Sequence, residues 1–278
     1  MNGHAGSAAA SETTRAAVSV VLVVWNRLEL TRACLESLRS ATVLFDLCVV
    51  DNGSTDGTRA WFEDFPLPYT LSYQRNESNL GLIPALNQGA RAAKGDVLCF
   101  LHNDTEMRDP RWLERLEAAV LSPGRIGLAG LYGARRLRRD GRYVGRTIVH
   151  SLEGGPALPA DVVEVAAVDG VCLCLRRSLL ESLGGFDEAY GFFHGYDRDL
   201  SFSVRDAGFR CAVVKAAFVH HGGGTRTAAG ARFSGDEDLA QRRAALGRFA
   251  AKWRHRLPSD VRGLRERTWA RCLEWRRA

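Results

Sequence analysis

Val18-Ser19-Val20-Val21-Leu22-Val23-Val24 is a run of β-branched and apolar residues with one serine and no polar/apolar alternation. Such a run reads as a strand buried on both faces, which demands helices packed above and below it. Residues 28–40 follow, with Leu28, Leu35 and Leu38 at helical spacing. The alternation then repeats. Residues 45–50 form a second apolar run, closed by Asp51-Asn52-Gly53-Ser54-Thr55-Asp56-Gly57, and residues 58–62 open another helix. Residues 71–74 read as a weaker strand, 80–93 as a helix carrying Ile83, Leu86, Ala90 and Ala93 on one face, and 96–101 as a strand ending in His102-Asn103-Asp104. Polar loops at the carboxyl ends of alternating strands are the pattern of an open, mostly parallel α/β sheet that binds its ligand there.

The chain changes character after a helix at 110–121. Residues 124–170 are rich in Gly, Arg and short β runs, at 126–131 and 162–168, and predict a mixed sheet with long loops. Residues 171–176 read as apolar strand, 178–183 as helix, 197–207 as helix with Leu200 and Val204 inward, and 211–219 as one final strand.

The 278 residues are 46% hydrophobic and 25% charged, which excludes a disordered tail, a coiled coil or a small disulfide scaffold. The net charge of +6 suggests a nucleic-acid partner until it is mapped. From 241 to 278 there are 12 basic residues and 3 acids, leaving 26 basic against 29 acidic in residues 1–240, so the body is mildly acidic. Its positive charge sits in the C-terminal segment and one loop, with no basic surface interleaved with aromatics. Seven cysteines, most in apolar runs, read as small buried hydrophobes of a reducing compartment. Cys172 and Cys174 lack a second pair at metal spacing, which favours core packing over zinc.

Four groups carry potential chemistry. Asp51 at a strand end can accept hydrogen bonds from a base or ribose, or simply shape a turn. Asp104 can hold a hard divalent ion or cap a helix. In Phe192-Phe193-His194-Gly195-Tyr196-Asp197-Arg198-Asp199, one carboxylate can cap the helix while another serves as a base. His220-His221 before three glycines suits a metal ligand or a structural pair.

Taken together and in order, V-V-L-V-V-W-N-R at 20–27, wherein V-V-L-V-V opens the string, D-N-G-S-T-D at 51–56, N-L-G-L-I-P-A-L-N-Q-G at 79–89, F-L-H-N-D-T-E at 100–106, G-G-F-D-E at 184–188, G-Y-D-R-D-L at 195–200 and H-H-G-G-G-T at 220–225 resemble glycosyltransferase family 2, in its rhamnosyltransferase-like branch. The resemblance implies an α/β GT-A fold and an inverting transferase that takes a UDP- or dTDP-linked sugar with Mg²⁺ or Mn²⁺. After a leader at 1–16, read from its Ala/Ser/Thr/Gly-rich composition, a catalytic domain is expected at 17–235, split into a nucleotide-sugar-binding half (17–123) and an acceptor half (124–235). A basic helical extension (236–278) follows.

Carried over residue by residue, Asp51 contacts the base or ribose, with Asn26 and Arg27 nearby. Asn79, Gly81 and Asn87 line the donor pocket, as does Asn103 beside Asp104. Asp104 holds the metal with His220. Asp197 is the base. Asp169, Gly170, His194 and Tyr196 face the acceptor. Two positions depart from the family pattern. His102 stands where the first acid of D-x-D belongs, and Tyr196 replaces the E of the family's E-D pair.

The expected partners are a nucleotide-sugar donor and a glycan, lipid-linked or small-molecule hydroxyl acceptor. Nucleic acid is not among them. The arginines at 135, 136, 138, 139, 142 and 146 read as a solvated loop or a site for a phosphate-bearing acceptor. In the extension Leu246, Phe249, Trp253 and Leu257, then Trp269, Leu273 and Trp275, suit packing on the domain, a homodimer, or peripheral membrane contact. The expected location is cytoplasmic, with the inner membrane face as the place of any such contact. The rival reading is a non-catalytic nucleotide- or glycan-binding module that keeps the fold.

Overall fold

The double burial expected of residues 18–24 is met, and it organises everything around it. In the computed structural model, which describes residues 17–222 and 234–263, β1 (Val18–Val24), β2 (Phe45–Asp51), β3 (Thr70–Arg75) and β4 (Val97–His102) alternate with α1 (Leu28–Ser37), α2 (Thr58–Glu63) and α3 (Leu82–Ala92). Then come β5 (Thr105–Met107), α4 (Trp112–Leu121), β6 (Ile126–Gly130), β7 (Tyr132–Ala134), β8 (Arg136–Leu137), β9 (Ile148–His150), β10 (Val162–Val165), β11 (Ala167–Val168) and β12 (Cys172–Arg176). The chain continues with α5 (Arg177–Ser182), α6 (Tyr196–Asp206), β13 (Arg210–Val214), β14 (Phe218–His220), α7 (Gly235–Lys252) and β15 (Ser259–Asp260).

Eight strands form the main sheet in the order β10-β13-β6-β12-β4-β1-β2-β3. β1 pairs in parallel with β2 on one side and β4 on the other, so the chain winds outward to β3 and then crosses back. That reversal leaves a crevice at the carboxyl ends of β1 and β4. β12 and β10 run against the other strands, which gives the second half of the chain its mixed sheet.

Successive side chains of β1 point to opposite layers. Val20, Leu22 and Val24 pack with Leu35 of α1 and Trp112 and Leu116 of α4. Val21 faces Ile83 and Leu86 of α3, in a layer that also takes Leu200 and Val204 of α6.

Residues 211–219 are two strands, not the single one expected. β13 lies in the main sheet, whereas β14 leaves it to pair antiparallel with β5. The break falls at Lys215, whose amide bonds the Asp161 carbonyl while the next turn takes the chain across to Arg108. The cysteines behave as read: Cys34, Cys48, Cys99, Cys172, Cys174 and Cys211 are free and buried.

Ser234 starts α7 with a reciprocal cap, its hydroxyl accepting from Glu237 N while Glu237 accepts from Ser234 N. Ala245, Phe249 and Trp253 then bury against the layer containing Phe202, Tyr190 and Tyr196. No described helix is long and apolar enough to cross a membrane. The leader at 1–16, residues 223–225 of the His-Gly motif, and Trp269, Leu273 and Trp275 lie outside the described residues.

Candidate active site

The crevice is built first from its backbone. After β1, Asn26 and Arg27 both adopt left-handed φ values, 54° and 57°, a conformation that costs a non-glycine residue about 1–3 kcal/mol. Hydrogen bonds to the next strand end offset it: Asn26 N donates to Ser54 Oγ at 2.8 Å, and Thr55 N donates to Asn26 Oδ1 at 2.7 Å. The turn leaves the Arg27 side chain half exposed beside the crevice, 3.6 Å from Glu29.

Asp51 lies beneath this junction. It is fully buried, with Oδ1 accepting from Ser54 N at 2.8 Å and Oδ2 accepting from Tyr73 OH at 2.7 Å. Arg75 Nε stands 3.4 Å from Oδ2. With both oxygens enclosed, Asp51 shapes the loop from below, and the contact with a base or ribose expected of it is not open in this arrangement.

Asn52 does the stitching that no motif assigned to it. Its amide donates to Asn79 Oδ1 at 2.8 Å and to the Gly81 carbonyl at 3.0 Å, and its Oδ1 accepts from Leu80 N at 3.1 Å. Asn79 and Gly81 thus sit along the crevice wall. Gly81 has φ +102°, and a Cβ there would come within 3.0 Å of the Phe192 ring and carbonyl. Leu82 N bonds that same carbonyl at 2.8 Å, joining the donor-side loop to the 191–195 loop. Asn87 is placed differently from its expected position at the donor pocket. Buried on α3, it donates to Phe186 O at 2.9 Å and Glu188 Oε1 at 2.8 Å and accepts from Phe186 N at 2.9 Å, which holds the 184–188 turn. Asn103 donates to Thr31 Oγ1 at 2.9 Å and ties the end of β4 to α1.

A candidate metal centre forms where β4 ends. The β5–β14 ribbon pairs His220 with Thr105, which brings His220 Nε2 to 3.2 Å from Asp104 Oδ1. His102 Nδ1 lies 4.0 Å from the same oxygen. Ligand atoms of His102, Asp104 and His220 all fall within 4.8 Å of one another, a spacing that one cation can bridge. Burial acts to raise the Asp104 carboxyl, but the hydrogen bond from His220 and the charges of both histidines outweigh it and hold the group below its ordinary range. His102, the departure from the family pattern, offers an imidazole to this candidate donor set in place of the missing acid.

Tyr196 links this cluster to the start of α6, its hydroxyl 3.3 Å from His102 Nε2. The hydroxyl needs Gly170 to be bare, since a Cβ there would lie 2.1 Å from it. Asp197 follows at the start of α6, buried, with Oδ1 accepting from Arg198 N at 2.8 Å. Desolvation raises its carboxyl; Arg198 pulls it down, Asp169 pushes it up, and the net position is above the ordinary aspartate value. Asp169 is half-buried and accepts from Val171 N at 3.2 Å. His194 Nε2 lies 2.9 Å from Asp238 Oδ1, fastening the 191–195 loop to α7. Asp199, one turn-position on, accepts from Tyr190 OH at 2.9 Å and Trp253 Nε1 at 2.7 Å and pairs with Lys252 at 2.9 Å. It anchors α7, while Asp197, the other carboxylate in the first turn of α6, is buried with Arg198 Nη1 3.5 Å from its Oδ1.

A family model described as "Glycosyl transferase family 2" matches residues 19–183, stopping short of Asp197 and His220. The O-antigen biosynthesis protein RfbC of Myxococcus xanthus is 29% identical over 232 residues, 76% of this chain and 18% of that protein. The glycosyltransferase AglE of Haloferax volcanii is 32% identical over 117 residues, 41% of this chain and 38% of that one. The chain thus spans well under half the length of either relative. Among solved structures, the mannosyltransferase PcManGT of Pyrobaculum calidifontis, in complex with GDP-Man and Mn²⁺, superposes with a TM-score of 0.54 at 20% identity, covering 74% of this chain and 57% of that one. GalNAc-T7 with UDP, GalNAc and Mn²⁺ gives a TM-score of 0.61 at 19% identity, covering 75% and 44%. These likenesses establish the GT-A fold.

Proposed function

The chain belongs to glycosyltransferase family 2, and from that premise we propose that it transfers a sugar from a nucleoside diphosphate donor to an acceptor hydroxyl with inversion at the anomeric carbon. The observation that carries the reading is the His102–Asp104–His220 cluster, set at the β1/β4 crevice and joined through Tyr196 to Asp197. His102, Asp104 and His220 would hold the divalent cation, with two nitrogens and a carboxylate as a donor set that suits Mn²⁺ better than Mg²⁺. When bound there, a divalent cation would supply charge neutralisation for a departing diphosphate.

The protein's own side chains do the rest. The loops stitched by Asn26 and Asn52 wall the nucleotide crevice, with Arg27, Asn79 and Gly81 along it. Asp197 takes the proton of the acceptor hydroxyl as its oxygen bonds to the anomeric carbon and the bond from that carbon to the diphosphate oxygen breaks. Burial raises its carboxyl above the ordinary aspartate value, which makes it a stronger base than an ordinary aspartate. Asp169 and Tyr196 flank the acceptor approach. The relatives' names, an O-antigen biosynthesis protein among them, support a glycan or lipid-linked acceptor.

Thermal stabilisation by UDP, TDP and GDP, each with and without Mn²⁺, tests the donor half. The expected result is a metal-dependent rise in Tm with one of them, and Asp197→Asn keeps that rise while losing transfer. A chain that no nucleotide stabilises is the inert module, and wild-type turnover by Asp197→Asn removes the base from the mechanism.

A further inference from the structure

A cleft of about 720 Å³ opens between His220 of the metal cluster and Arg198 beside the base, closed on its outer side by α7. Its lining holds four arginines, Arg142, Arg198, Arg242 and Arg243, against a single carboxylate, Asp169. The arginine-rich loop contributes only Arg142 to it. The helix contributes more: Leu239, Arg242, Arg243 and Leu246 recur at i, i+3, i+4 and i+7, one face of α7 turned to the cleft. The neighbouring Ala245, Phe249 and Trp253 face is buried.

The charges of this region are not paired alike. Away from the cleft, Lys252 meets Asp187 and Asp199, Arg256 meets Asp206, and Arg262 meets Asp260. Inside it, among the described residues, Arg242 and Arg243 have no carboxylate within ion-pair distance. Arg142 has only Asp140, at 3.7 Å across an exposed pair. The Arg198 guanidinium lies over the Tyr143 ring, 4.2 Å from its centroid, with Nη1 3.5 Å from Asp197 Oδ1, and its buried Nε has no hydrogen-bond partner. A buried donor without an acceptor is costly unless a ligand supplies one. Guanidinium forks match phosphate oxygens with paired hydrogen bonds, and the volume is that of a site for a small molecule.

We infer that this cleft is the acceptor subsite and that the acceptor carries a phosphate ester, held by Arg142, Arg198, Arg242 and Arg243 so that its hydroxyl reaches Asp197. The word acceptor rests on the transferase reading above; the anion site does not. Leu239, 42% exposed at the rim, and Leu246 continue the cleft with apolar surface beyond the charges.

Calorimetry on the full chain, with the donor site first filled by whichever nucleoside diphosphate stabilises it with Mn²⁺, separates the outcomes. The probes are glucose 1-phosphate and monomeric dodecyl phosphate, with glucose and dodecyl glucoside as neutral counterparts. The phosphate probes are expected to bind while the neutral ones do not, and Arg242→Gln/Arg243→Gln, at exposed positions, weakens them by at least about tenfold. Tighter binding of glucose 1-phosphate assigns a soluble phosphorylated acceptor, and tighter binding of dodecyl phosphate a lipid-linked one. Equal binding of phosphate and neutral probes, or an unaltered affinity in the double variant, overturns the inference. So does exclusion of the probes by bound nucleotide, since the cleft would then serve the donor's own diphosphate. A chain that binds the phosphate probes but no nucleotide keeps the anion site and loses the transferase reading.

Discussion

His220 Nε2 stands 3.2 Å from Asp104 Oδ1, although one residue ends the first α/β half of the chain and the other closes the second. The contact exists because β14 leaves the main sheet to pair with β5 directly after β4. It brings two separate motifs into one candidate cation site, in which each member offers a ligand atom.

Replacing His102 or His220 by Ala is expected to weaken Mn²⁺ binding by at least about tenfold, a loss of about 1.4 kcal/mol or more, read by calorimetry with the nucleotide present. His102→Asp exchanges an imidazole for a hard oxygen ligand and should shift preference toward Mg²⁺. Unaltered metal affinity in all three variants would remove the cluster from the metal site.

The pH dependence of transfer should report Asp197. A base must be ionised, so activity falls as pH drops through its pKa, and because that pKa is raised the acid limb lies above the ordinary aspartate range. Arg198 lowers the pKa and Asp169 raises it. The acid limb of kcat/KM is therefore expected to move up in Arg198→Gln and down in Asp169→Asn. Shifts in the same direction would disconnect both residues from the base.

Gly170→Ala places a methyl group 2.1 Å from the Tyr196 hydroxyl, and such overpacking costs about 1–3 kcal/mol. Tyr196→Phe removes the obstructing oxygen, so the double variant should recover part of the lost Tm. Additive losses in a double-mutant cycle would show that the two groups do not meet.

Phe249→Ala and Trp253→Ala each empty a buried site where α7 docks, and are expected to cost about 3–5 kcal/mol in chemical denaturation. Leu239→Ala, at the cleft rim, should cost under about 0.5 kcal/mol. Near-neutral values for both aromatic variants would mean that α7 is dispensable to the fold.

Local pattern carried the architecture a long way. A strand buried on both faces cannot stand without helices over each, so β1 to β4 and α1 to α3 follow from apolar spacing, and the loops at their carboxyl ends frame the crevice. Asp104 and Asp197 were legible as candidates because their motifs are contiguous. Asn52 and His102 were not. Asn52 looks like any turn residue until the loop at 76–81 folds onto it, and His102 reads as a substitution until His220 arrives beside it.

The tertiary structure alone decided which polar groups remain open. Asp51 and Asn87 stand in recognisable motifs, yet both are buried with their hydrogen bonds met inside the protein, while Arg242 and Arg243 belong to no motif and face a cleft with no carboxylate partner among the described residues. The same holds for the net charge of +6. Composition placed it in the C-terminal segment, and only the packing of α7 set two of its arginines over the crevice. The sequence determines which residues are apolar, charged or able to bind a metal, because those are properties of single side chains and their local spacing. Burial and satisfaction of hydrogen bonds depend on what long-range contacts bring alongside, and these determine which of the candidate groups can meet a substrate.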